Sequence, residues 1–543
     1  MHWHARDSVH WYVNQVAASV VAETGIPSDR YHLGKMILWS LRSDPDFIMQ
    51  IDGATGQSET YKSVLDRTVR CAVVFETLGL KRGDVMVLMA PNHIDLCIPY
   101  YAALYLGIIV AAVDATLGVQ ELRDMFNITK PSIVFCQSEK TEDIDKALDL
   151  DGMRSIVVTF NGGSRHPIFS ELLDDVDEDA VKSFQPSNFN PEESIAFLTS
   201  TSGTTGVPKA AALTHKNLMV TVPYVWQGFS KFPTPTRMAI ILSPLQWLSA
   251  GLHFLFSPIL KFTRLQTSAP ITNEHFTELV NKFKPTYTTV SPTLMSSLST
   301  EGDRCDFASF ECILMGGSAV SSEIIAAVKR LTKSENVYSG YGLSEIGGLG
   351  FFPDFPVAPG TLGRPLGCFE YRLIDCDTSC DVVEPNTPGE LWIRGPGVFQ
   401  GYYSNPEVTA ETLTKDGWLK TGDILYRDEY SNFYFVERLK MLLKYKNHQI
   451  SPSEIESVVL KHPGVLDVAV TGVPDKECGD LAVACVVPRP GCRPTAQEIK
   501  DLVKESLTDS KQLRGGVIFM DTLPLSSSTK VDRKALTRMA STL

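Results

Sequence analysis

Residues 199–209 read Thr-Ser-Thr-Ser-Gly-Thr-Thr-Gly-Val-Pro-Lys, a run in which hydroxyl side chains alternate with glycine. Gly203 and Gly206 permit backbone conformations that turn consecutive N–H groups inward as an anion nest. Ser200, Thr201, Ser202, Thr204 and Thr205 add hydroxyl donors, and Lys209 adds a mobile positive charge. Together these groups suit a polyphosphate. The run is not a Walker A loop, because Lys209 stands three residues beyond Gly206 and is followed by Ala210, not Ser or Thr. A plain Ser/Thr/Gly surface linker would need neither the Pro-Lys ending nor the apolar run before it.

Such a loop needs firm supports. Ser194-Ile-Ala-Phe-Leu198 reads as the strand that delivers it, and a helix is expected to begin near His215. Further short apolar runs at Ser132–Cys136, Ser155–Thr159 and Glu311–Met315 read as strands, and residues 324, 325, 328 and 331 give Ser321–Leu331 a helical period. The uncharged stretch Leu96–Val113, about eighteen residues, is long enough to flag a membrane-spanning helix. Pro99 and Gly107 interrupt it, and the β-branched run after Gly107 reads as a buried strand, with Asn92 as a candidate helix cap. Strand, apolar helix, glycine, strand is a βαβ unit rather than a membrane span. From about Gly360 the texture changes to Gly- and Pro-punctuated strands such as Gly389–Gly395, and residues 439–543 again mix helices and strands. The expected fold class is α/β. A large N-terminal body of stacked α/β subdomains and a β-rich subdomain would take residues 1–437, and a small mobile α+β domain residues 438–543.

The loop resembles the phosphate loop of the ANL adenylate-forming superfamily, which comprises acyl- and aryl-CoA synthetases, peptide-synthetase adenylation domains and beetle luciferases. Further stretches follow in that family's order. Gly316-Gly-Ser-Ala319 resembles its adenine-stacking turn, and Tyr338-Ser-Gly-Tyr-Gly-Leu-Ser-Glu345 its adenine and magnesium segment. Trp418-Leu-Lys-Thr-Gly-Asp423 resembles its ribose-binding stretch, and Val436–Lys446 with Ile450–Glu456 its hinge and the start of its mobile domain. The texture is nearest the luciferase and coumarate-CoA-ligase-like branch. The resemblance implies nucleotide contacts from Gly317, Ser318, Ala319, Gly340, Tyr341, Gly342, Ser344, Asp423 and Arg438, beside the phosphate loop itself. It implies a magnesium ligand at Glu345 and contacts to coenzyme A from Lys444, Lys446 and Asn447. The individual chemistry agrees: a carboxylate accepts two ribose hydroxyls, a hard oxygen suits magnesium, and a guanidinium offers a planar fork. Each residue alone also has an ordinary use, Asp423 as a turn cap, Glu345 as a solvated carboxylate, Tyr341 as core and Arg438 as a surface ion pair. Lys530 matches the family's catalytic lysine, which reaches the α-phosphate as charge develops, with an exposed tail lysine as the alternative. Ala210, Asn447 and Thr529 stand where the family commonly has glycine.

Ser243-Pro-Leu-Gln-Trp-Leu-Ser-Ala-Gly251 occupies the place where luciferases and many aryl ligases carry a histidine, and by offset that position is Trp247. Indole cannot do imidazole's proton-handling work, but it serves as an apolar gate or as core. Small residues Ser249, Gly251, Gly347 and Gly348 are expected to leave room for an alkyl chain. The resemblance thus implies an AMP-forming acid–thiol ligase acting on a medium- or long-chain fatty acid, with ATP, Mg2+ and coenzyme A. A luciferase-like adenylating oxygenase and a weakened acyl- or nucleotide-binding homologue are the alternatives.

Composition agrees with a globular enzyme: 543 residues, 43% apolar, 21% charged and a net charge of −13. The acidic balance argues against a broad nucleic-acid or anionic-membrane surface, so the expected partner is a small-molecule carboxylic acid. Eleven scattered cysteines, without zinc spacing, point to a reducing compartment. Met1–Asp7 lacks the apolar core of a secretory signal. Ser541-Thr-Leu543 resembles the peroxisomal S-K-L address with Thr at the basic position, so peroxisome is expected and cytoplasm is the alternative.

Overall fold

The computed structural model describes the chain except residues 1–4, 28–29, 202–208, 227–236, 293, 296–303, 318–319, 321, 354–356, 447, 476–477, 526–530 and 543. The chain divides into two compact units, Met1–Glu370 with Ile393–Leu419, and Tyr371–Trp392 with Lys420–Leu543.

The first unit holds two large sheets. One has six strands in the order Ile156–Thr159, Ile133–Cys136, Val85–Met89, Ile109–Ala112, Ile195–Thr201, Lys209–Thr214. All neighbours run parallel except the last pair. Val85–Met89, Ile109–Ala112 and Ile133–Cys136 are buried at every position, as a parallel sheet covered on both faces requires. The apolar stretch after Asp95 resolves as expected. Cys97–Leu106 is a helix with all ten residues buried, Gly107 ends it at φ +73°, and strand Ile109–Ala112 follows. Among the described residues no helix is long and apolar enough to cross a membrane.

The other large sheet has seven strands in the order Val337–Ser339, Cys312–Met315, Tyr287–Val290, Met238–Ile240, Thr263–Gln266, Ile48–Asp52, Ser58–Thr60, parallel except at the last pair. The helix expected at Ser321–Leu331 forms at Ser322–Thr332. The helix expected near His215 forms at His215–Thr221, and Lys209–Thr214 before it is a strand that completes the sheet edge against Ile195–Thr201. One local expectation fails. Asn92 does not cap a helix: its Nδ2 donates to the Ser243 carbonyl at 2.8 Å, tying the chain before the apolar helix to the segment that carries Trp247.

The second unit takes most of a four-stranded sheet, Glu370–Ile374, Gly389–Arg394, Leu419–Arg427 and Phe433–Arg438, with the unit boundary passing through the strand ends. Its other sheet orders His448–Ile450, Leu443–Tyr445, Gly479–Pro488 and Val465–Asp475, with Gly516–Phe519 beside Gly479–Pro488. Helices Pro452–Val459 and Ala496–Ser506 pack Ile455, Val459, Ile499 and Val503 into that sheet's core. The molecule is α/β with a smaller C-terminal α+β segment, as the sequence implies.

Candidate active site

Ligands of parallel sheets gather where strands end and their loops begin. Strands Cys312–Met315 and Val337–Ser339 are parallel neighbours, so the turns that follow them emerge side by side. The Gly340 N–H donates to the Met315 carbonyl at 2.9 Å. A Cβ on Gly316 would stand 3.1 Å from the Gly340 oxygen, so the two turns approach closely. Gly317 adopts φ +86°, and a Cβ there would lie 3.9 Å from Cζ3 of Trp247. Trp247 follows strand Met238–Ile240 of the same sheet and stands at the N-cap position of helix Leu248–Leu260, without a side-chain capping bond. It is half-buried rather than core, and it borders the glycine turn.

The glycine positions on that helix and opposite it are not all open. A Cβ on Gly251 would meet the Phe197 ring at 3.2 Å, and one on Gly348 would meet Leu252 at 2.9 Å. The Ser249 carbonyl accepts from His253 Nδ1 at 2.5 Å. Burial lowers the pKa of His253 to about 4, so its ring is neutral.

Tyr341–Leu343 and Gly348–Phe352 form an antiparallel hairpin, and Ser344–Ile346 is a single 3-10 turn at its tip. Gly342 is required there, since a Cβ would stand 2.3 Å from the Gly348 oxygen, and Gly347 closes the turn at φ +64°. Tyr341 is buried and packs edge-on against Phe351. The tip presents Glu345, which residues 399–403 hold on two sides. Its carbonyl accepts from the Phe399 N–H at 2.8 Å, and its Oε1 accepts from the Tyr402 hydroxyl at 2.8 Å.

That same segment runs antiparallel along strand Lys209–Thr214. Tyr403 N–H donates to the Ala210 carbonyl at 2.8 Å and Ala212 N–H to the Gly401 carbonyl at 3.0 Å. Tyr402 therefore faces both ends of the site, and Lys209 Nζ lies 5.1 Å from its ring centroid. Thr201 pairs with Lys209 in register. Ser202, Gly203, Thr204, Thr205 and Gly206 lie outside the described residues, as do Ser318, Ala319, Asn447 and Lys530. Ala210 is buried in the sheet core, where a methyl group fits.

The second unit carries the remaining candidates. Asp423 and Arg438 are register partners on neighbouring antiparallel strands, and Arg438 Nε lies 3.0 Å from Asp423 Oδ1. The carboxylate is 1% exposed and the guanidinium 50%. Next to Arg438, the buried Glu437 receives Ser453 Oγ at 2.7 Å, Ser453 N at 3.1 Å and Arg438 N at 2.9 Å. Lys444 is exposed on strand Leu443–Tyr445, with its N–H on Asp480 Oδ2 at 2.9 Å. In the turn that follows, Lys446 takes φ +52° and lays its ammonium 5.4 Å from the Tyr445 ring centroid.

Sequence reasoning missed Tyr402 and the Glu437–Ser453 pairing. No local signal marks Tyr402, because Glu345 is 57 residues away along the chain. Among the described residues no group of three or more His, Cys, Asp or Glu side chains could cage a metal. One carboxylate fits a magnesium ion that arrives on phosphate oxygens, since Mg2+ keeps few protein ligands.

Residues 38–403 match the AMP-binding enzyme family, and residues 454–530 match its C-terminal domain. Luciferin 4-monooxygenase of Photuris pensylvanica is 32% identical over 495 residues, spanning 89% of this chain and 90% of that one. 4-Coumarate–CoA ligase 1 of Arabidopsis thaliana is 29% identical, spanning 90% and 88%. Among solved structures, ATP-bound MatB from Rhodopseudomonas palustris shares the fold with a TM-score of 0.85 at 22% identity, covering 94% of this chain and 99% of that one. Turns at the strand ends, a carboxylate held at a hairpin tip and matches spanning both units agree: the chain belongs to the ANL superfamily of adenylate-forming, AMP-binding enzymes, in the branch of the luciferases and coumarate-CoA ligases.

Proposed function

We propose that this protein is an AMP-forming acid–thiol ligase that converts a medium- or long-chain fatty acid to its coenzyme A thioester. In the first step a substrate carboxylate oxygen attacks the α-phosphorus of ATP. The P–O bond to the β-phosphate breaks, releasing pyrophosphate and leaving acyl-AMP. In the second step the coenzyme A thiolate attacks the acyl carbon and AMP leaves. The thiol proton passes to solvent.

The chain's residues divide this work. Residues 201–206 and Lys209 hold the polyphosphate, Gly316–Ala319 and Tyr341 frame the adenine, and Asp423 accepts the ribose hydroxyls. Magnesium, held by Glu345 and phosphate oxygens, would supply charge neutralisation on the leaving pyrophosphate. Lys530 donates to the developing charge on the α-phosphate, a contribution of about 3 kcal/mol for one well-aimed group. Rotation of residues 438–543 about a hinge at Glu437–Lys440 then withdraws Lys530 and brings Lys444 and Lys446 toward coenzyme A. Such closure keeps water from a labile mixed anhydride.

The observation that carries the fatty-acid preference is Trp247, an indole half-buried beside the Gly317 turn where the resemblance puts a histidine in luciferases. An apolar wall rewards alkyl chains at up to about 0.8 kcal/mol per methylene. The test offers purified protein, Mg·ATP and coenzyme A a panel of C6 to C18 fatty acids, coumarate and luciferin, with thioesters read by mass spectrometry. A fatty acyl thioester lost in Lys530→Ala supports the assignment. Light with luciferin and no thioester would replace it with the oxygenase, and acyl-AMP without thioester would remove the second step.

A further inference from the structure

Tyr402 touches both charged groups assigned to the triphosphate. Its hydroxyl donates to Glu345 Oε1 at 2.8 Å, and its ring lies 5.1 Å from Lys209 Nζ. The backbone around it is fixed from several directions. Tyr402 is bridged to Ala211, and its N–H donates to Thr409 Oγ1 at 2.9 Å. Gly401 adopts φ +134°, and a Cβ there would meet Thr409 Cγ2 at 2.4 Å, so only glycine lets the chain pass. The Phe399 ring packs edge-on against the Tyr402 ring with centroids 5.0 Å apart. The Phe399 N–H holds the Glu345 carbonyl as well, so one short segment sets both the backbone and the side chain of that residue.

We propose that Tyr402 is a positioning residue that aims the Glu345 carboxylate at the nucleotide's magnesium and holds Lys209 over its ring toward the same phosphates. This rests on the assignment of Glu345 as the magnesium ligand. A phenol suits the task. As a neutral donor it fixes one carboxylate oxygen without cancelling the negative charge the metal needs. The ring face attracts an ammonium without offering it a competing carboxylate. Tyr402 thus holds an anion and a cation close together.

The test separates this from a packing role. Mn2+ replaces Mg2+, and its binding in the presence of ATP is titrated by electron paramagnetic resonance; ATP affinity without metal is measured beside it by calorimetry. Tyr402→Phe keeps the ring and removes the hydroxyl. It should weaken Mn2+ about tenfold while leaving metal-free ATP within twofold of the parent. Tyr402→Leu also removes the ring and should weaken metal-free ATP as well. In a Glu345→Ala background the Tyr402→Phe effect on Mn2+ should vanish, which a general loss of packing would not do. If Glu345→Ala alone leaves Mn2+ binding unchanged, the magnesium assignment of Glu345 fails and takes this proposal with it. If Glu345→Ala weakens Mn2+ and Tyr402→Phe does not, the proposal alone is overturned. Should Tyr402→Phe fold poorly, Thr409→Val, which removes the hydroxyl that holds the Tyr402 N–H and keeps the phenol, must show the same selective loss of Mn2+ or the proposal falls.

Discussion

Glu345 in the first unit and Asp423 in the second are both carboxylates assigned to the nucleotide, and they are held in opposite ways. Glu345 is fixed by a neutral hydroxyl from Tyr402, at the tip of a hairpin, with its partner 57 residues away. Asp423 is almost fully buried and faces a guanidinium directly across the strand register. A neutral donor orients a charge and leaves it for a ligand. A cationic partner orients it and also neutralises it, which is what lets Asp423 stay buried. Glu437, one residue from Arg438, takes this further, because serine hydroxyls and backbone N–H groups surround it. The first arrangement is suited to binding a cation, the second to accepting neutral hydroxyls, the third to holding architecture.

The contrast breaks most readily at the two carboxylates proposed to serve the nucleotide. Glu345→Ala should lower acid-dependent pyrophosphate exchange about a hundredfold with little change in melting temperature. Asp423→Ala should raise KM for ATP about tenfold and also lower the melting temperature, because a buried partner of Arg438 is lost. Equal melting losses in the two variants would erase the distinction between a held ligand and a matched pair.

Glu437→Ala sharpens the other side. It should destabilise the second unit by about 3 kcal/mol, seen as an earlier urea transition, because Ser453 and two backbone N–H groups lose a charged acceptor. Mn2+ binding should stay unchanged. A shifted Mn2+ affinity with an unmoved urea transition would reverse the roles assigned to the two regions.

A smaller effect per residue separates the units by pH. Burial holds His93 and His253 near 4 and His32 near 3, and it lowers His215 as well. All four lie in the first unit. Above about pH 6.5 these rings are neutral in both folded and unfolded chains, and their neutrality then costs nothing. Below it the unfolded chain takes up protons that the folded chain refuses. Stability therefore falls as pH drops, at about 1.4 kcal/mol per pH unit for each histidine, until the folded values are reached near 4 and 3. Hydrogen exchange at pH 7, 6 and 5 should show first-unit amides losing protection. A flat response across that window would mean that the buried rings accept protons without unfolding.

How far these arrangements were legible in the sequence depended on the range of the contact. Strands at 133–136, 156–159, 195–201 and 312–315 followed from short apolar runs, since a covered parallel strand is apolar at successive positions. The hairpin bearing Glu345 was recognisable through its motif, but not its partner. Lys-Ala-Ala-Ala-Leu-Thr at 209–214 has helix-forming alanines, and the sheet edge overrides that preference. Asn92 had the right type for a cap, yet its side chain reaches a carbonyl 151 residues away. A side-chain cap does form on another helix, His215–Thr221, where Thr214 receives the Asn217 N–H at 3.1 Å while Asn217 reaches back to it. Local rules found the loop and the strands, whereas Tyr402 and Glu437 act through partners that only the folded chain brings near.

Adenylate formation is tested most directly by acid-dependent exchange of labelled pyrophosphate into ATP, run with the full acid panel and without coenzyme A. The expected result is exchange with at least one medium- or long-chain fatty acid, dependent on Mg2+ and lost in Lys530→Ala. Absence of exchange with every acid, from protein that still binds ATP, would contradict the assignment and leave a nucleotide-binding protein on an enzyme fold.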